Sequence, residues 1–301
     1  MVSMIRALLF AAMIALCLPA RTEAWGFEAH KAIAEHFIAL LPPELRPLFE
    51  ARKAFIIERS VDPDLWRNVG FAEEPPNHFV DLDYYGKYPF SELPREYDRA
   101  IQKFGREVVH QQGLLPWRTA EFYGKLQREF ESLKRKSPPT YAADNIVLFA
   151  AVIAHYVSDG HVPLHAVVNY DGQLTNQHGI HSRWEAELFE RNKSRIRIAP
   201  SASKPVTDPR ETMFQTLLAS HLLAEGVLQS DSKAAQGREF YDDGYFGALA
   251  KDQLSVLERR LNDSITAVAA FVTGAWQQAG RPPIPGGGAR QPRAIRRPPN
   301  R

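Results

Sequence analysis

The chain has 301 residues, 45% of them hydrophobic and 24% charged, with a formal net charge of +2. That length is ample for one large domain with a real core. Cys17 is the only cysteine, so a disulfide framework is excluded as the source of rigidity. The near-neutral total hides an asymmetry. Residues 281–301 carry six arginines and no acid, and the first 24 residues carry Arg6 and Arg21 against Glu23. Between Trp25 and Gly280 there remain 29 basic and 34 acidic residues, a net of −5. An acidic body that must bind an anionic substrate suits a protein that carries divalent cations, without demanding them.

In chain order, Met1 to Arg6 form a short basic region and Ala7 to Ala20 a continuous apolar stretch. Thr22-Glu23-Ala24 ends in the small residue a signal peptidase favours. The apolar stretch falls short of the roughly 20 residues that span a bilayer, so residues 1–24 read as a signal peptide and the protein as secreted or periplasmic. Leu16 is too large for Cys17 to be a lipid-attachment site. No later segment is long and apolar enough for a second span.

From His30 the apolar residues Ile33, Phe37 and Leu40 recur at helical spacing until Pro42-Pro43. Further helical stretches are predicted at about 94–109, 117–135, 142–159, 181–193 and 208–229. A last helix carries the stripe Leu254, Leu257, Leu261, Ile265, Val268, Val272 and Ala275. Strand signals are confined to 77–81 and 195–198. The expectation is an all-α fold with a single multi-helix domain over 25–280. A disordered Pro/Gly/Arg tail follows over 281–301.

The stretch 142–157 is apolar almost all round, as a central bundle helix is, yet it runs into His155 and Asp159. These two are four apart and share a helix face. His165 follows, and then His181 and Glu185, again four apart. Upstream stand Asp64 and, fourteen residues on, His78; Trp25 and His30 lie near the expected cleavage site. Imidazoles and carboxylates are zinc ligands at roughly 2.0–2.2 Å. A histidine and an acid four apart is by itself surface decoration. Two such pairs, with a third histidine between them and a buried helix beneath, point to metal.

This arrangement resembles the superfamily of zinc-dependent phospholipase C and single-strand-specific (type I, S-one/P-one type) nucleases. The likeness covers most of 25–280, and its most specific part is His155-x3-Asp159-x5-His165 followed by His181-x3-Glu185. It implies a helical domain with a metal-lined cleft and three zinc ions per chain. Asp64, His78, His155 and a bridging Asp159 would hold one. His165, His181 and Glu185 would hold a second. The freed α-amino and carbonyl groups of Trp25, with His30 and Asp159, would hold the third. Asp62 is the alternative to Asp64. The implied activity is hydrolysis of phosphodiesters by metal-activated hydroxide, with Asp64 also accepting a proton.

Two substrate classes divide the motif evidence. Glu185, where the nucleases usually have Asp, and the short interval between His165 and His181 look like the phospholipase. The Trp25–His30 spacing looks like the nuclease, whose base clamp corresponds to Phe79 and Asp81. Leu65 and Pro75 replace the aromatic residues of a choline cage, so choline is not the expected head group. Arg67 and Arg183 are candidates for steering phosphate. The reading leans to a phospholipase-C-like enzyme acting as a monomer, with transient contact at a membrane surface. A nuclease acting on single-stranded DNA or RNA is the alternative, and a secreted helical protein with non-catalytic zinc is the second.

Overall fold

The computed structural model describes residues 25–285, except the side chain of Arg67. The expected signal segment and most of the basic tail lie outside the described residues.

Helix follows helix. α1 (Phe27–His36) runs into a 3-10 turn (Phe37–Leu40). Pro42 and Pro43 come next, and three short helices follow: α2 (Arg46–Ala51), α3 (Lys53–Arg59) and α4 (Asp62–Trp66). The sequence signal missed these because five to seven residues are too few to display an amphipathic stripe. The single helix expected at 94–109 is two, α5 (Tyr97–Phe104) and α6 (Arg106–Gln111), divided at Gly105 where φ is 86°. Beyond them lie α7 (Leu115–Ser132) and α8 (Ala142–Asp159).

The helix expected at 181–193 is α9 (Ile180–Ser182), a π-helical turn (Arg183–Glu187) and α10 (Leu188–Asn192). Two long helices complete the fold, α11 (Pro209–Ala235) and α12 (Asp243–Gln278). Each starts on an aspartate cap: Asp208 accepts from the Glu211 amide at 3.0 Å and Asp242 from the Tyr245 amide at 2.8 Å.

The architecture is all-α, and the described residues contain no strand. At 195–198, where a short strand signal stood, the chain is extended but its partners are side chains of α12. The amides of Arg197, Ala199 and Ser201 donate to Glu258, Asn262 and Thr266. Two extended residues advance about 6.6 Å and four helical residues about 6 Å, so alternate amides meet every fourth side chain. Farther along, the carbonyl of Val206 accepts from the Tyr123 hydroxyl at 2.8 Å. That approach needs Gly274, where a Cβ would lie 2.0 Å from the same carbonyl oxygen.

At the centre is α8, packed against α1, α3, α4, α7 and α12. Every residue from Ala150 to Asp159 is buried. The helix is nonetheless not purely apolar, because its last turns carry His155, Ser158 and Asp159 into the core at 0% exposure. A buried carboxylate without compensation costs several kcal/mol, so whatever surrounds Asp159 must supply positive charge or donors. Among the described residues no helix is long and apolar enough to cross a membrane.

Candidate metal centre

Five segments deliver the polar groups that meet α8. Asp64 comes from the short α4, which Pro63 enters. His78 ends a 3-10 turn (Pro75–His78) opened by two prolines. His165 lies in a second such turn (Pro163–Ala166), which Pro163 starts immediately after α8 has ended. His181 and Glu185 flank the start of the π-helical turn, a rare conformation that recurs at functional sites. His30 rises from α1 against α8, its ring stacked on that of His155 at 4.0 Å between centroids.

Three groups result, the first two sharing His155: His30 with Asp64 and His155; His78 with His155 and Asp159; His165 with His181 and Glu185. All of these residues are buried. In the first two groups His155 Nε2 lies 3.3 Å from Asp159 Oδ2 and 3.9 Å from Asp64 Oδ1. His78 Nδ1 lies 2.9 Å from Asp159 Oδ2 and 3.1 Å from His155 Nε2, and His30 Nε2 lies 3.4 Å from Asp159 Oδ1. In the third, His165 Nε2 and His181 Nε2 face each other at 2.9 Å, with Glu185 Oε2 at 3.6 and 3.0 Å respectively. Donor atoms around a tetrahedral zinc are separated by about 3.3 Å. The observed separations bracket that value.

The outer nitrogens explain why the inner ones converge. His155 Nδ1 donates to the Ser60 carbonyl at 2.8 Å and His165 Nδ1 to the His78 carbonyl at 2.7 Å. His30 Nδ1 donates to the Ser158 hydroxyl at 2.8 Å, whose own proton goes to backbone carbonyls of α8. Each ring is thereby fixed with Nε2 turned inward, the arrangement that orients histidine ligands. His30 Nε2, Asp159 Oδ1 and both Glu185 oxygens are buried without a hydrogen-bond partner. Such convergence of acceptors is stable only around a shared proton or cation, so the residues fit metal.

The electrostatics agree. Burial lowers the affinity of His155 for a proton, but Asp159 and Asp64 outweigh it and push its pKa up to about 9. Burial, reinforced by the charges of Asp159 and Asp64, pushes the Glu185 carboxyl up to about 8. His30, buried and beside His155, is driven down to about 4. Both raised values favour a bound proton, the role a cation would take.

Of the other expected site residues, Trp25 is fully buried, with its indole donating to the Ser158 carbonyl at 2.8 Å and its rings against Trp184. Position 25 is thus tied to the residue that holds His30. Asp62 forms an ion pair with Arg59 at 3.4 Å, while Asp64 faces the cluster. Phe79 and Asp81 lie on the extended segment that leaves His78. There the Asp81 amide donates to Gln112 and the Val80 amide to the His165 carbonyl. Burial, with Asp83 nearby, pushes the Asp81 carboxyl up to about 8. Its Oδ1 has no hydrogen-bond partner.

Arg183, expected to steer phosphate, is used otherwise. Its guanidinium is buried, ion-paired to Asp231 at 3.0 Å, and donates to the carbonyls of Gln177 and His178. It fastens the loop before His181 to α11. The side chain of Arg67, the other candidate, is outside the described residues.

Sequence reasoning missed Glu74, Tyr156 and Ser158. Glu74 carries a related signal, an acid four residues from a histidine, but with the acid first where the recognised pairs have the histidine first. Ser158 and Tyr156 are visible only once α8 is seen to be buried on every side. No family model matches the chain, and no curated protein matches it.

Proposed function

We propose that the chain is a divalent-metal-dependent phosphodiesterase, of the kind its motifs resemble, acting on phospholipid. The observation that carries this reading is the convergence of buried imidazole and carboxylate acceptors in three groups within one cluster. His165, His181 and Glu185 contribute only three side chains. A structural zinc site uses four protein ligands, so this group suits a catalytic ion with an open position. Zinc bound here would lower the pKa of a coordinated water and neutralise phosphoryl charge.

The chain's own residues do the rest. Asp159, facing His30, His78 and His155, joins the first two groups into one centre. Asp64, buried beside His78 and His155, would receive a proton from the attacking water. Processing before Trp25 would add an α-amine beside the residue that anchors His30. Leu65, Val69 and Phe71, the exposed apolar residues that follow Asp64, offer surface to a lipid.

One observation favours the nuclease as a second reading. Asp81, buried beside Phe79 with its Oδ1 lacking a hydrogen-bond partner, has its carboxyl pushed up to about 8 by burial, which favours the form that can donate a hydrogen bond to a base. The test is a parallel assay of zinc-loaded protein on liposomes of several head groups and on single-stranded DNA and RNA, with chelator controls. Chelator-sensitive diacylglycerol release is expected. Nucleotide release would select the second reading, and silence on every substrate with zinc bound would favour a structural role for the metal.

A further inference from the structure

The five buried histidines of the cluster are not held alike. His155, His165 and His30 have their outward nitrogens on backbone carbonyls or a serine hydroxyl, and all three turn Nε2 inward. His78 is reversed. Its inward atom is Nδ1, which meets Asp159 and His155, and its outward atom is Nε2. Nε2 is buried without a hydrogen-bond partner, and a carboxyl oxygen, Glu74 Oε1, stands 3.6 Å from it. That separation is too long for a hydrogen bond and short enough to close to one with a shift of roughly 0.7 Å.

Glu74 is itself held from three sides and is only 3% exposed. The Tyr156 hydroxyl donates to Oε1, Arg118 donates to Oε2 at 3.2 Å, and the Asn77 amide donates to Oε2 at 3.1 Å. Arg118 also donates to the Tyr156 oxygen at 3.2 Å, closing the ring of contacts. Tyr156 is the neighbour of His155 on α8. One helix therefore supplies the inward ligand His155 and, one residue on, the group that fixes the carboxylate aimed at the back of His78. The ion pair with Arg118 at 3.2 Å and the two neutral donors compensate the burial of Glu74 and fix its carboxylate behind His78.

We infer that Glu74 is the positioning residue of the metal centre: it selects the tautomer of His78 that has hydrogen on Nε2 and a lone pair on Nδ1, and holds that ring while Nδ1 takes the cation. Nδ1 lies at hydrogen-bond distance from Asp159 Oδ2, 2.9 Å, and can donate to it. When a cation takes Nδ1, the imidazole must carry its hydrogen on Nε2, and the 3.6 Å gap to Glu74 closes. The inference rests on the metal reading above and adds a residue that the pairs read from the sequence did not include.

The experiment is nitrogen NMR of histidine-labelled protein loaded with cadmium-113, together with zinc titration of the same preparation. Coupling between cadmium and His78 is expected through Nδ1, and between cadmium and His155 and His165 through Nε2. Glu74→Gln is expected to weaken zinc binding by about 10–100-fold, the usual effect of removing the partner behind a ligand histidine. It should also return His78 partly to the Nδ1–H tautomer, a change that a loss of packing alone would not produce. Glu74→Asp, which keeps the carboxylate, should restore part of the affinity. If Glu74→Gln binds zinc within twofold of the parent, with the His78 pattern unchanged, the inference is overturned while the metal centre stands. If the parent protein takes up neither cation, the metal reading fails first and the role of Glu74 with it.

Discussion

The imidazole of His165 donates from Nδ1 to the carbonyl of His78 at 2.7 Å, and the carbonyl of His165 accepts the next amide but one, that of Val80, at 3.0 Å. Two turns from distant parts of the chain are thereby locked in register. Each carries a histidine of a different candidate metal group. These bonds tie the backbone that carries His78 to the turn that carries His165.

Asp159 is the joint of the first two groups. Replacing it with Asn keeps the shape but removes the charge that faces His30, His78 and His155. Asp159→Asn is expected to lose bound metal at these groups while His165, His181 and Glu185 keep theirs. Phosphodiesterase activity should drop on the order of 100-fold or more. Metal content by mass spectrometry, beside the rate, checks both parts; full retention of metal and rate would contradict the assignment.

Without metal the fold should weaken as pH rises. His155 is pushed up to about 9 from an ordinary 6.5, and Glu185 up to about 8 from 4.5. Both groups bind a proton more tightly folded than unfolded. The stability they contribute is full below the unfolded values and is lost as pH passes upward through about 8 and 9. The melting temperature of chelator-treated protein should therefore fall between about pH 6 and about pH 9. Zinc should remove the decline, because the cation replaces the protons. A chelated protein that grows more stable across that interval would refute this account.

Arg183 and Asp231 form a buried ion pair that pins the loop before His181. Breaking a buried pair by removing one partner costs about 3–5 kcal/mol. Arg183→Met should destabilise by that order in a denaturant titration. The double variant with Asp231→Leu should recover much of the loss, since no buried charge is then left alone. A role for Arg183 in binding phosphate would show instead as a raised KM with stability unchanged.

Gly113 offers a test of how the extended segment after His78 is held. Its φ is 101°, and a Cβ there would lie 2.1 Å from the Phe79 carbonyl oxygen. Gly113→Ala is expected to cost roughly 1–3 kcal/mol. By moving the backbone of Phe79, it should also lower zinc affinity at His78. Unaltered thermal stability would be inconsistent with that contact.

Much of this was legible in the sequence because the chemistry lies in short-range pairs. His155 with Asp159 and His181 with Glu185 are each four apart, so helical geometry alone places each pair on one face. The apolar residues of α8 announced a buried helix, and its polar end announced a site. What was not legible depends on tertiary contacts. Arg183 looks like an exposed cation until α11 brings Asp231 against it. Glu74 looks like one acid of a solvent-facing pair until Tyr156 and Arg118 close on it. The strand signal at 195–198 comes from an extended segment, but side chains of α12 take the hydrogen bonds that a neighbouring strand would have made. The helix at 94–109 breaks at Gly105 because the residue there has a positive φ.

Zinc titration of chelated protein, with hydrolysis of a simple phosphodiester followed at each addition, tests the central claim most directly. The account predicts no hydrolysis before zinc and a rate that climbs as the three groups fill, levelling once they are saturated. It also predicts that the rate is lost again on chelation. Tight zinc binding with no hydrolysis of any phosphodiester at saturation would contradict it and leave the cluster a structural or storage site.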